Sequence, residues 1–293
     1  VNTAKLRPRH VVVTGAAGAI GAAIARALRA RWGSRLALVD RVAAPMHALA
    51  AELDAVGPRR ARPGTAPPTT TVHTADLTDL DALPALVDAI AAVEPIDGLV
   101  NCAGVMEVRA LAEHAWSDAA ALLAVDLLAP LRLQERVARA LVDRGRAGAI
   151  VNIASMAGRV PLRGCAYYGA AKAGLAMASE IARAELAPHG IRVVTVYPGP
   201  VRSALERGAR AGYGGGGVAG KLAPTGDAGV LARRIVAAIE RDEPRVIYPR
   251  AYGIGWTAPN VSRWVALTYG PPPIAPPDAQ PEDSRAAATP HAS

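Results

Sequence analysis

The stretch His10–Gly21, HVVVTGAAGAIG, constrains the fold more than any other part of the chain. Three successive valines are stiff at χ1 and suit a buried strand, and the glycines after them permit a turn that side chains would block. Apolar residues then recur with helical period from Ile20 to Trp32. A strand running through a glycine turn directly into a helix is the opening unit of a parallel α/β sheet. Gly15, Gly18 and Gly21 allow the backbone to approach a ligand, and the first helical turn leaves N–H groups where a pyrophosphate can sit.

The same alternation continues. Strands are predicted at 35–40, 71–76, 97–105, 148–155, 191–201 and 244–249, with helices over 43–56, 79–93, 112–125, 127–144, 167–187 and 226–241. The two helices between 112 and 144 can equally be one long helix bent near Pro130. This pattern predicts an α/β fold: a Rossmann-like, doubly wound parallel sheet of about seven strands with helices on both faces. Residues 1–270 read as a single dinucleotide-binding catalytic domain. Within it, 57–71 is a Pro/Gly-rich insertion and 202–225, with YGGGGVAG, is a flexible substrate lid or a linker. Residues 251–270 carry Trp256 and Trp264 and leave three roles open: a cap on the pocket, a subunit contact, or a peripheral membrane contact. Residues 271–293 form a Pro/Ala-rich tail.

An apolar fraction of 51% without any Phe describes a globular core packed with Ala, Leu and Val. The net charge of +8 would suit nucleic acid or an anionic surface. Its tightest cluster, Arg59, Arg60 and Arg62, lies in a Pro-rich loop without aromatic residues, so no nucleic-acid partner is expected, whereas an anionic cofactor would be attracted. Cys102 and Cys165 form no Cys-x-x-Cys or Cys/His grouping, so neither a metal site nor a disulfide is expected. No transmembrane span and no signal peptide are read from the sequence, and the expectation is a cytoplasmic protein.

Three side chains near the middle of the chain point to proton transfer. Ser155 ends a strand, and Tyr168 and Lys172 stand four apart on the following helix, hence on one face. An ammonium beside a phenol favours the phenolate, so the Tyr168 pKa is expected to fall from about 10 towards the range of a general acid or base. Elsewhere, Asp40 at the end of the second strand can accept from a ribose diol and repel a 2′-phosphate, or simply close a turn. Arg41 next to it can instead clamp such a phosphate. Ala103 and Gly104 leave room for a flat ring, or form a tight turn.

Together, TGAAGAIG, Asp76–Leu77, NCAG at 101–104, the set Ser155, Tyr168 and Lys172, and PGPV at 198–201 resemble the short-chain dehydrogenase/reductase family over residues 9–250. The resemblance implies hydride transfer between a nicotinamide cofactor and a secondary alcohol or ketone. Tyr168 would be general acid/base, Ser155 would bind the substrate oxygen, and Lys172 would bind the nicotinamide ribose. It implies NAD, with NADP as second choice, held by Gly15, Ala17, Gly18, Ala19, Ile20, Gly21, Asp40, Arg41, Asp76, Leu77, Asn101, Ala103, Gly104, Tyr168, Lys172, Pro198, Gly199 and Val201. It also implies a homodimer or homotetramer formed through the helices at 112–144 and 167–187.

Three departures stand out. Ala19 replaces a frequent glycine, and the glycine spacing resembles that of NAD-retaining sugar-nucleotide epimerases and dehydratases, one alternative reading. Asp126 stands where the family has a catalytic asparagine; aspartate cannot donate as an amide does, so it is expected to accept from a relay water. A catalytically silent dinucleotide-binding protein is the other alternative. Finally, the helix followed by PRVIYP resembles steroid, retinoid and lipid alcohol dehydrogenases, implying an apolar small-molecule substrate.

Overall fold

The computed structural model describes residues 6–56, 69–213 and 224–274. Strand β1 (His10–Thr14) pairs in parallel with β2 (Arg35–Asp40) on one side and β4 (Gly98–Asn101) on the other. β3 (Thr70–Thr74) lies outside β2, and β5 (Gly148–Ile153), β6 (Ile191–Pro198) and β7 (Arg245–Tyr248) extend the sheet beyond β4. The order β3-β2-β1-β4-β5-β6-β7 is the expected seven-stranded parallel sheet. Strand order reverses between β1 and β4, which opens a crevice beyond the carboxyl ends of these strands.

Alternating side chains of each strand feed two cores. On one face, Val11 and Val13 of β1 meet Ile24 and Leu28 of α1 (Ala19–Trp32), Met46 and Leu49 of α2 (Ala43–Val56), and Leu231 and Ile235 of a late helix, Ala228–Arg241. On the other, Val12 meets Val87 and Ile90 of α3 (Leu83–Val93), and Leu133, Val137 and Leu141 of a helix at Ala129–Asp143. Each such fully buried side chain contributes about 1.5–3 kcal/mol, which makes β1 the spine of both layers.

Several boundaries differ from the sequence expectation. β3 stops at Thr74 and α3 starts only at Leu83, because Asp76 forms a turn in which its Oδ1 accepts from the Thr78 N–H (2.9 Å) and hydroxyl (2.8 Å). Between residues 116 and 143 the chain is one helical path: α4 (Trp116–Leu123), a π-helical turn (Ala124–Leu128) and α5 (Ala129–Asp143). Pro130 cannot donate to the carbonyl of Asp126, and the irregular turn falls just before it.

The helix that carries Tyr168 and Lys172 is α6 (Ala166–Leu186). Part of the expected lid is helical, α7 (Ala204–Ala211), capped by Ser203 Oγ accepting from Glu206 N at 3.1 Å. A bridge between Val201 and Gly226 ties its flanks together; the run YGGGGVAG lies almost wholly outside the described residues, as do most of the insertion at 57–71 and the tail from 275. After α8 (Ala228–Arg241) and β7, the chain forms two short helices, α9 (Gly253–Thr257) and α10 (Pro259–Tyr269). No helix among the described residues is long and apolar enough to cross a membrane.

Candidate active site

At the β1 end of the crevice the backbone itself builds the site. Gly15 takes φ +66°, and a Cβ there would lie 2.6 Å from Ala103 N; one on Gly21 would lie 2.2 Å from Gly15 O. These contacts bring the β1 turn, the start of α1 and the β4 turn into one close-packed cradle that only glycine allows. Gly18 caps α1 without a side-chain oxygen on the first N–H groups, and Ala19 begins the helix with an exposed methyl, while Ile20 packs on the core. That arrangement fits an anionic diphosphate at the helix start.

Asp40 is tied to this turn. Its Oδ2 accepts from Ala17 N at 3.0 Å and its Oδ1 from Arg41 N at 2.8 Å, so it closes the turn as well as standing at the β2 end. Arg41 is exposed and close enough to Asp76 to help hold that carboxyl below its usual range, after the Thr78 bonds that dominate. Leu77 is buried in the core. Thr14, unnoticed in the sequence, accepts at its Oγ1 from Cys102 N (3.1 Å) and Ala103 N (3.2 Å), pinning β4 to β1. Its signal was a hydroxyl residue directly before the glycine turn.

Asn101 turns inward: its Nδ2 donates to Pro130 O (3.1 Å) and to Asn152 Oδ1 (2.8 Å). Asn152 in turn donates to Gln134 Oε1 (2.6 Å) and Ser179 Oγ (2.8 Å), a buried network that locks β4 and β5 to α5 and α6. The Oδ1 of Asn101 is buried and has no hydrogen-bond partner among the described residues, so that oxygen and the backbone are left for a ligand. Pro198 ends β6, Gly199 donates its N–H to Tyr248 O at 2.8 Å, and Val201 is buried. A side chain on Gly199 would meet the Tyr252 ring at 2.7 Å, so the C-terminal segment folds back over this loop. Cys102 faces strong desolvation, which pushes its thiol up to about 12 and makes it unreactive near neutral pH.

The other side of the crevice gathers Ser155, Tyr168, Lys172 and Asp126, all buried. Ser155 follows β5 and turns its Oγ to accept from Ala157 N at 3.1 Å, and it lies near enough to the Tyr168 phenol to favour the phenolate. Lys172, one turn after Tyr168, holds its ammonium 5.8 Å from that ring's centroid and donates to Ile153 O at 3.2 Å. The π turn delivers Asp126 to the same point: its Oδ2 lies 3.3 Å from Lys172 Nζ, and its Oδ1 accepts from Val105 N at 2.8 Å. Gly104 passes directly over this pair, where a Cβ would come within 3.3 Å of Asp126 Oδ1.

One expectation gains a partner here and one changes. Asp126, read from the sequence as an acceptor for a relay water, is also the counter-ion of Lys172. The phenol pKa is raised rather than lowered: burial is the largest influence, Lys172 pulls down, and the Asp126 charge pushes back up. A lysine paired with a carboxylate exerts less field on a third group than a bare one. Burial alone would lower Lys172, yet the Asp126 and Tyr168 charges outweigh it and keep the ammonium protonated. Asp126 itself is pushed up by desolvation, against the pull of Lys172 and Val105 N–H.

Tyr168 shares a small apolar cluster with Leu122, Ala157, Cys165 and Ala171, against which Met106, Val108, Tyr167 and Tyr213 pack. Cys165 Sγ lies 3.2 Å from Tyr213 Oη, which donates to Arg163 O at 2.5 Å. No group of three or more His, Cys, Asp or Glu among the described residues is placed to hold a metal ion.

Comparison with known proteins agrees with this architecture. Residues 9–214 match the family model for short chain dehydrogenases. A D-threitol dehydrogenase of Mycolicibacterium smegmatis is 37% identical over 76% of this chain and 81% of its own. A short-chain dehydrogenase from Sphingobium yanoikuyae, solved with NADPH, superposes with a TM-score of 0.70 at 29% identity, covering 94% of this chain and 99% of its own. The bulky-bulky ketone specific alcohol dehydrogenase of Comamonas testosteroni gives a TM-score of 0.70 at 26% identity, over 92% and 98% respectively. Neither the epimerase reading nor the silent-binder reading gains support from these relatives. A glycine cradle at the strand-order reversal, a serine–tyrosine–lysine corner facing it, and a family match across both halves lead to one conclusion: the chain belongs to the short-chain dehydrogenases and is an oxidoreductase.

Proposed function

We propose that the enzyme interconverts an apolar ketone and its secondary alcohol with NAD, or with NADP as second choice. The observation that carries this reading is the convergence of Ser155, Tyr168 and Lys172 beside a cradle in which a side chain on Gly15 or Gly21 would strike backbone. The cofactor, held by the turn at Gly15–Gly21, Asp40, Gly104 and the 198–201 loop, supplies the hydride donor or acceptor. Tyr168 holds the proton that the substrate oxygen gains on reduction or loses on oxidation. Ser155 shares a hydrogen bond with that oxygen and orients it, while Lys172, fixed by Ile153 O and Asp126, keeps a positive charge near the phenol.

Met106, Val108, Tyr167 and Tyr213, half-buried against the cluster that holds Tyr168, favour an apolar substrate body over a chain of hydroxyls. A carboxylate at residue 40 favours a free ribose diol over a 2′-phosphate. Oxidation of NADH or NADPH at 340 nm against bulky ketones, small aliphatic ketones and ketoses tests the reading. Fastest turnover with NADH and a bulky apolar ketone is expected; turnover confined to polyols and ketoses would overturn the substrate class. A homo-oligomer built on α5 and α6 remains part of this proposal, supported by the exposed Met177 and Ile181 on α6.

A further inference from the structure

Helix α10 carries its large apolar side chains outward. Ser262 and Ala266 take its half-buried face, while Val261, Trp264, Val265 and Tyr269, at i, i+3, i+4 and i+8, form an exposed stripe. These four are 44–67% exposed, and Leu267 and Ile274 beside them are about half exposed. A helix resting on its own domain would put these residues inside, so the stripe marks a contact with something else.

The charge around it says what. Residues 246–274 contain Arg250 and Arg263 and no Asp or Glu, in a chain of net charge +8; Arg245 just before them is taken up by Glu180 and the Trp256 ring. We propose that α10 docks the enzyme onto an anionic phospholipid surface, with Trp264 and its apolar neighbours in the headgroup boundary and the arginines on lipid phosphates. A second copy fits less well. A two-fold contact through the stripe would set the same arginines of both copies against one another, with no carboxylate from this segment between them.

The docked face lies next to the reaction site. Arg163 Nη2 donates to Leu267 O at 2.6 Å, Pro273 comes within 2.9 Å of where a Gly164 side chain would stand, and Ile274 N donates to Gly212 O at 3.0 Å. These contacts join α10 to the loop before Tyr168, so an apolar substrate would enter from the lipid side. That last clause rests on the proposed substrate class; the docking does not.

Flotation of the whole protein with phosphatidylcholine vesicles, with and without phosphatidylglycerol, tests the docking without any turnover assay. Wild type should float with the phosphatidylglycerol vesicles at low salt, sink in high salt, and show blue-shifted tryptophan emission when bound. Trp264→Ser with Val265→Ser should lower partitioning about tenfold or more, and Arg263→Gln about fivefold on anionic vesicles only. Unchanged circular dichroism would show that both variants fold. Failure of wild type to float, or equal flotation of the serine variant, overturns the proposal. A wild-type dimer that dissociates in the serine variant without vesicles would assign the stripe to a second copy instead.

Discussion

The turn after β1 and the corner around Tyr168 face each other across one crevice and are built in opposite ways. The turn works by the absence of side chains: Gly15, Gly21 and Gly104 stand where a Cβ would strike backbone or buried charge. The corner works by buried functional groups, with Asp126 fully buried and Lys172 nearly so. A site made of sterics alone is insensitive to pH and salt. A site made of desolvated charges depends on each partner, and its proton affinity is set by groups from the π turn, β5 and α6 together.

Tyr168→Phe should break the corner most completely while leaving the turn intact. Turnover should fall by about 10²–10⁴-fold, and cofactor binding, followed by nicotinamide fluorescence, should persist. Joint loss of both would mean that the phenol serves the cradle rather than the proton.

Asp126→Asn comes next. Removing one partner of a buried pair should destabilise by about 3–5 kcal/mol, read from denaturant unfolding. The same change tests the electrostatics. Oxidation needs the phenolate, and because the folded phenol titrates above its ordinary value, alcohol oxidation should rise with pH into the alkaline range while ketone reduction stays level through neutrality. With the carboxylate gone and Lys172 still held protonated by the phenolate it faces, the oxidation limb should move to lower pH; a limb that moves up would show that Lys172 needs Asp126 to keep its proton. A limb that stays where it was would show that residue 126 carries no charge the phenol feels.

Gly15→Ala should sharpen the comparison from the other side. A Cβ in the left-handed region costs about 1–2 kcal/mol before its overlap with Ala103 is counted. Cofactor affinity should fall, with the shape of the pH profile unchanged. A shifted profile would mean that the two halves are not separable.

Much of this was legible in one dimension because local rules decide it. Three valines before a glycine turn specify a strand entering a helix, and a Tyr–Lys spacing of four residues fixes a shared face. Thr14 was missed because its role is visible only once β4 lies beside β1. Asn152 looked like one more strand residue until three partners from β4, α5 and α6 surrounded it.

The sequence by itself determined the order of elements, the cradle and the grouping of Tyr168 with Lys172 on one helix face, since periodicity, glycine sterics and residue chemistry are properties of short stretches. Only the tertiary structure decided that Asp126 pairs with Lys172, that burial, helped by the Asp126 charge, holds the phenol pKa up, and that Trp256 lies against Tyr197 while Trp264 faces outward. Desolvation and charge pairing depend on what distant segments bring to one point, and no local pattern encodes that.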